Sequence, residues 1–251
     1  MKSSAGKKRT AEVLILGDDP LAGEYAEALA PSGYKVTLHP QLKSVKSLGG
    51  RASIALELTN TDPLAKKSNL IALDKVLPET TAILTSSITI TVLEQSSWLS
   101  MKHRLVGIAA LPTFIAREVA EVAPSIYTLP STVDVARNFF SSIKKEIAIV
   151  QDRVGMVLPR ILCQIINEAL FAVQQGVASP QEIDLAMKLG MNFPMGPLEW
   201  GEKIGFDQVY ALLDALQKDL REERYRICPL LKEIATTGKF WGEKAGVRET
   251  L

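Results

Sequence analysis

The chain opens with short, almost wholly apolar runs and passes, in its second half, to longer stretches with helical periodicity. Glu12-Val-Leu-Ile-Leu16 has the composition of a central parallel strand covered on both faces. A glycine turn, Gly17-Asp18-Asp19-Pro20-Leu21-Ala22-Gly23, leads into a helix-forming segment over Glu24 to Ala30, and Lys35-Val-Thr-Leu38 supplies a second strand. The alternation resumes with a strand over Ala52 to Leu58, a helix from Lys66 to Val76, and a strand from Ala82 into the polar turn Ser86-Ser87. A long helix then runs to Gln175-Gly176, apolar nearly all round through Val157, Leu162, Ile166, Leu170 and Val173. Ser179-Pro180-Gln181-Glu182 reads as a capped helix start, with a serine N-cap, a first-turn proline and a reciprocal acid. That helix is expected to run to Leu189 and close left-handed at Gly190. Pro194, Gly196 and Pro197 predict a stiff turn, and Val209 to Leu216 a further amphipathic helix.

Composition narrows the classes. At 251 residues and 47% hydrophobic, the chain can form one large domain or two ordinary ones. Its 29 Lys+Arg against 28 Asp+Glu leave +1, so no bulk field recruits nucleic acid or an anionic membrane. Cys163 and Cys228 lie in apolar surroundings and are expected as buried free thiols. Two histidines and no Cys-x-x-Cys give no support to a metal site. The basic start, Lys2 to Thr10, has no hydrophobic segment behind it and reads as a solvated tail. The longest apolar stretch, Leu105 to Ala116, is broken by Pro112 and too short for a bilayer. A cytoplasmic protein is the expectation.

Strand, glycine turn, helix, strand is the opening of a dinucleotide-binding fold. The second half carries a more specific series: Met187 to Trp200 around the two prolines, Gly205-Phe206-Asp207, Arg224-Tyr225-Arg226-Ile-Cys-Pro229, and Gly238-Lys239-Phe240-Trp241-Gly242. Over residues 152–251 this order resembles the C-terminal helical domain of the 3-hydroxyacyl-CoA dehydrogenase family. The resemblance implies an α/β, Rossmann-type parallel-sheet domain over residues 10–152. It implies an all-α domain of the 6-phosphogluconate-dehydrogenase type over residues 153–251, a homodimer buried on the long helix, NAD as cofactor and an acyl-CoA-type small molecule as substrate.

The family's glycine fingerprint is altered in this chain. Gly17 keeps its first position and Ala22 is a tolerated third, but Asp19 stands where backbone must approach a pyrophosphate. Two like charges about 4 Å apart repel by about 1 kcal/mol in water, and by several at the dielectric of a protein surface. Asp18 or Asp19 could instead cap the helix that follows Pro20. His39-Pro40 replaces the acid expected at the adenine ribose, and Lys66 matches a cofactor-contacting lysine. Binding of NAD or NADP is therefore expected to be weakened. About a dozen residues lie between His39 and Arg51, where the family carries the long hairpin that holds CoA.

Oxidation of a secondary alcohol by hydride transfer needs a base within reach of the hydroxyl, usually a histidine steadied by a carboxylate. The resemblance places that base at Ala109 and its partner at Glu121, which is expected as a surface carboxylate on a strand. It places the second catalytic amide at Pro159, expected in the first turn of the long helix, where proline is tolerated. Ser86 matches a serine that contacts the substrate hydroxyl, and Thr61 stands for a glutamate near the nicotinamide. Asp152 and Gly155 keep the family's Asp-x-x-Gly pattern. His103 and His39 both read as surface residues. Ser86 and Glu121 are thus the remnants of the catalytic set.

Two functions follow. The first is a catalytically impaired member of the family, kept as a dimeric binding or assembly module. The second is an active NAD(P)-dependent oxidoreductase on a 3-hydroxyacyl-CoA or related hydroxy acid, with Lys43, Lys46 and Arg51 holding a 2′-phosphate.

Overall fold

The computed structural model describes residues 12–38 and 52–239. The tail before Glu12, the segment holding His39, Pro40, Lys43, Lys46 and Arg51, and the chain from Phe240 onward lie outside the described residues. The chain divides into two compact units, 1–156 and 157–251.

The first unit is built on a sheet that has seven strands among the described residues: β1 (Glu12–Gly17), β2 (Lys35–Leu38), β3 (Ala52–Leu58), β4 (Ala82–Ser86), β5 (Leu105–Ile108), β6 (Val119–Ala123) and β7 (Glu146–Ile149). Their order across the sheet is β2-β1-β3-β4-β5-β6-β7. Among the described residues its α-helices are α1 (Leu21–Leu29), α2 (Pro63–Val76), α3 (Val92–Ser96) and α4 (Pro130–Ser142). β1 runs parallel to both neighbours, with Gly17 level with Leu58 of β3. The sheet departs from the all-parallel expectation at one place, where β6 pairs antiparallel to β5, before β7 returns parallel to β6.

Consecutive residues of β1 explain why its sequence is apolar throughout. Val13 and Ile15 pack with Leu21 and Tyr25 of α1 and with Phe139 of α4. Leu14 and Leu16 pack on the opposite face, with Leu70 and Leu73 of α2. Each fully buried side chain of this size contributes about 1.5–3 kcal/mol, so both layers are held by the same short strand.

α2 begins at Pro63, three residues before the sequence pattern suggested, because the Asp62 carboxylate accepts from the backbone of Leu64 at 2.9 Å and Ala65 at 3.0 Å. α3 is held from outside its own turn. Both oxygens of Asp152 accept from it, at 2.8 Å from Val92 and 2.8 Å from Leu93. Burial pushes the Asp152 carboxyl above its ordinary range, against the pull of those two N–H groups.

The second unit is helical: α5 (Leu158–Gln174), α6 (Pro180–Met191), α7 (Pro197–Ile204), α8 (Phe206–Leu220) and α9 (Pro229–Thr237). α6 starts on the expected capping box, with Ser179 and Glu182 bonded reciprocally. It does not stop at Gly190. The helix continues to Met191 and closes at Asn192, whose φ of 55° is the left-handed conformation that asparagine tolerates. α7 takes its N-terminal partners from α6: the Asp184 carboxylate accepts from Leu198 at 2.8 Å and from Glu199 at 3.1 Å. A Cβ on Gly196 would collide with that carboxylate, so glycine there is a packing requirement. Asn167, buried on α5, donates to the Arg226 carbonyl and accepts from the Cys228 backbone, 2.9 Å each. Both cysteines are buried and free, as their surroundings suggested.

No helix among the described residues is long and apolar enough to cross a membrane. Among the same residues no group of three or more His, Cys, Asp or Glu side chains could hold a metal ion.

Candidate active site

β1 and β3 lie side by side, and the chain leaves their carboxyl ends toward opposite faces of the sheet, β1 into α1 and β3 into α2. In open α/β sheets this switch point is where a crevice forms and ligands bind. Here the two strands meet closely. Gly17 adopts φ +148°, and a Cβ on it would stand 2.6 Å from the Leu58 backbone. Glycine is needed at this position for the approach of two strands. Ala22, the second residue of α1, is buried in the core cluster that also holds Ile15.

α1 has no side-chain cap at Pro20, and Asp19 beside it is exposed. The Asp18 Oδ2 reaches across the switch point. It accepts from the backbone N–H of Asn60 at 2.9 Å, from that of Thr61 at 3.2 Å and from the Thr61 hydroxyl at 3.2 Å. Asn60 carries the connection inward, donating Nδ2–H to the Ala110 carbonyl at 2.9 Å. Its Oδ1 accepts the Ser86 hydroxyl at 2.6 Å. The loops after β1, β3 and β5 and the last residue of β4 are therefore joined by one chain of hydrogen bonds.

This arrangement fixes the surroundings of two residues singled out in the sequence. Ser86, expected at a substrate hydroxyl, is 0% exposed at the end of β4, and its proton is committed to Asn60. Lys66, expected at a cofactor, is 1% exposed on α2 and forms an ion pair with Glu57 of β3. The same glutamate accepts from Asn69 and from the Thr59 backbone, 3.3 Å each, and from the Thr85 hydroxyl, also at 3.3 Å. Thr85 is bonded in turn to Gln95 at 2.6 Å. A buried ion pair persists when its remaining lone pairs are filled in this way. The Lys66 ammonium also donates to the Thr85 hydroxyl, at 3.3 Å.

The positions that the resemblance matches to the base and its partner are neighbours in the sheet. The Ala109 N–H donates to the Glu121 carbonyl at 3.1 Å, where β5 leaves the sheet beside β6. Alternation puts Ala120 and Val122 against the α1 and α4 layer, so Glu121 points to the other face. It is half-buried there. The side chain at 109 is a methyl group. It can neither accept nor relay a proton.

In the second unit Pro159 is buried in the first turn of α5, where the missing N–H leaves no interior bond unmade. His103 is half-buried ahead of β5, and its carbonyl accepts from Leu129 at 3.0 Å and from the Thr132 hydroxyl at 2.9 Å. Sequence reasoning missed Asn60 entirely. No signal in its neighbourhood marks an asparagine that joins residues 42 positions before it and 26 after it.

Comparison with known proteins bears on both halves. Residues 155–248 match the model of the 3-hydroxyacyl-CoA dehydrogenase C-terminal domain. A probable 3-hydroxybutyryl-CoA dehydrogenase of Bacillus subtilis is 31% identical over 195 residues, which are 78% of this chain and 68% of that protein. The 3-hydroxybutyryl-CoA dehydrogenase of Bradyrhizobium diazoefficiens is 34% identical over 154 residues, 61% of this chain and 52% of its own length. The fold is shared with the crystal structure of M. tuberculosis FadB2, at a TM-score of 0.80 and 19% identity, covering 90% of this chain and 93% of that one.

Proposed function

Since the chain belongs to the 3-hydroxyacyl-CoA dehydrogenase family, we propose that it keeps the family's scaffold without its proton-transfer chemistry and acts as a dimeric binding or assembly module. The observation that carries this reading is the bond from Ala109 to Glu121. The backbone still brings the base position to its carboxylate partner, and the side chain that would take the alcohol's proton is a methyl group. A positioned base is worth about 10²–10⁴ in rate, so its loss alone is severe. Pro159 lacks the second amide, and Ser86 has given its proton to Asn60. Weakened NAD or NADP binding belongs to the same reading, because the donors at the switch point are occupied by Asp18.

The dimer rests on apolar surface within the second unit. Ile161 on α5 is 54% exposed and Leu189 on α6 is 78% exposed, with Leu158, Leu185 and Met191 also open. Leu185 and Leu189 stand one turn apart on one face of α6. Monomeric proteins rarely leave such patches uncovered, and a second copy of the chain is the occupant we assign. A cytoplasmic location and an acyl-CoA-type ligand complete the proposal.

The test is direct. The protein is mixed with NAD and 3-hydroxybutyryl-CoA, or with NADH and acetoacetyl-CoA, and nicotinamide absorbance is followed. Turnover within about a hundredfold of the enzyme median of about 10 per second ends the proposal. Light scattering on a sizing column settles the assembly: a lone 27.4 kDa species at micromolar concentration would refute the dimer.

A further inference from the structure

We infer that Asp18 is the residue that bars a dinucleotide from this chain, by acting as a built-in anion at the switch point. The argument starts from donors. At the carboxyl ends of β1 and β3 the N–H groups of Asn60 and Thr61, with the Thr61 hydroxyl, converge on a single oxygen, Oδ2 of Asp18. Three donors on one carboxylate oxygen form a charge-assisted cluster, roughly twice as strong per bond as a neutral one. A nucleotide entering the crevice must displace that oxygen or lie beside it.

Either course is unfavourable. Displacement would strip the carboxylate of its partners and return the loop donors to a competing ligand, so part of the ligand's binding energy is consumed in breaking bonds already made. Lying beside it puts a diphosphate next to a fixed negative charge just ahead of α1, where the fold otherwise receives anions. Asp19, one residue on, is exposed and adds charge without occupying any of these donors. The two aspartates therefore act differently. Asp18 fills the crevice, and Asp19 only decorates its rim.

The inference deepens the proposed function, because it supplies the cause of the weakened cofactor grip. It is separable from the loss of catalysis, which resides at Ala109 and Pro159. Asp18→Asn keeps an oxygen that can accept from Asn60 and Thr61 while removing the charge. NAD is titrated calorimetrically into the full-length wild type, Asp18→Asn and Asp19→Gly, each first shown to be folded by its melting curve. Asp18→Asn is expected to bind NAD at least about tenfold more tightly than the wild type, with a smaller gain for Asp19→Gly. Should the asparagine variant fail to fold, Asp18→Ser, which keeps one acceptor, is read by the same criterion. Micromolar NAD binding by the wild type, a folded variant with no gain, or a larger gain from Asp19→Gly would each overturn the inference. Binding without turnover by the wild type sinks this inference alone; wild-type turnover of 3-hydroxybutyryl-CoA sinks the functional reading.

Discussion

Ser86 donates its hydroxyl proton to Oδ1 of Asn60 at 2.6 Å, and the same amide donates Nδ2–H to the Ala110 carbonyl at 2.9 Å. All three residues are buried. Ser86 is one link in a strap across the ends of the central strands. The strap reaches the surface at Asp18.

The first prediction follows from that bond. Ser86→Ala removes a donor from a buried amide oxygen, at a cost of about 1–3 kcal/mol. If Ser86 is structural, the variant loses stability in urea denaturation by that amount. Asn60→Ala is expected to lose more, since it breaks the links to Ser86 and Ala110 together. Full stability in both variants would show that the strap holds nothing.

The Glu57–Lys66 pair gives a second. Both side chains are essentially unexposed, and Lys66→Met leaves the glutamate as an uncompensated buried charge. Breaking such a pair typically costs about 3–5 kcal/mol. Glu57→Gln combined with Lys66→Met removes both charges and is expected to recover a large part of the loss. Equal losses in the single and double variants would mean that the pair's charge is immaterial to the fold.

Local signals were the ones legible in the sequence. Ser179 and Glu182 are three residues apart, so their reciprocal cap can be read before any fold is known. Pro159 in a first turn and the two-sided apolar strand at Val13 to Leu16 are equally local. What failed was long-range or competitive. Asp18 was weighed as a cap for its own helix, yet its partners lie 42 and 43 residues away. Gly190 looked like the natural left-handed stop, and Asn192 took that role two residues later. Lys66 and Ser86 match family positions by residue type, and their burial and long-range partners are visible only in the fold. The antiparallel turn of β6 has no marker in residue type, because a sheet covered on both faces selects the same apolar residues in either direction.

Gly17 supports a third prediction. Its φ of +148° and the 2.6 Å that would separate a Cβ there from the Leu58 backbone leave no space for a side chain. Gly17→Ala must therefore spread β1 from β3 or strain the backbone, at about 1–3 kcal/mol for the conformation alone. Gly23→Ala is the control, since a Cβ there meets nothing within 4 Å. The first variant is expected to melt several degrees lower, and the second at or slightly above the wild type, since alanine favours the helix over glycine. Matching melts for both would refute the close-approach role of Gly17.

The fourth concerns the helical unit. Asp184 on α6 receives two N–H groups from the start of α7, and Gly196 is packed so closely that only glycine fits against its carboxylate. Asp184→Ala orphans both donors, and loss of a helix cap of this kind costs about 0.5–2 kcal/mol. Asp184→Asn keeps one acceptor oxygen and is expected to fall between the wild type and the alanine variant. Gly196→Ala pushes on the same carboxylate from the other side, so it should weaken the same contact. The pairing of the two residues is tested by a double-mutant cycle. In an Asp184→Ala background the added methyl meets no carboxylate, and Gly196→Ala should then cost clearly less than it does in the wild type. Additive losses would show that the two residues act on α7 independently.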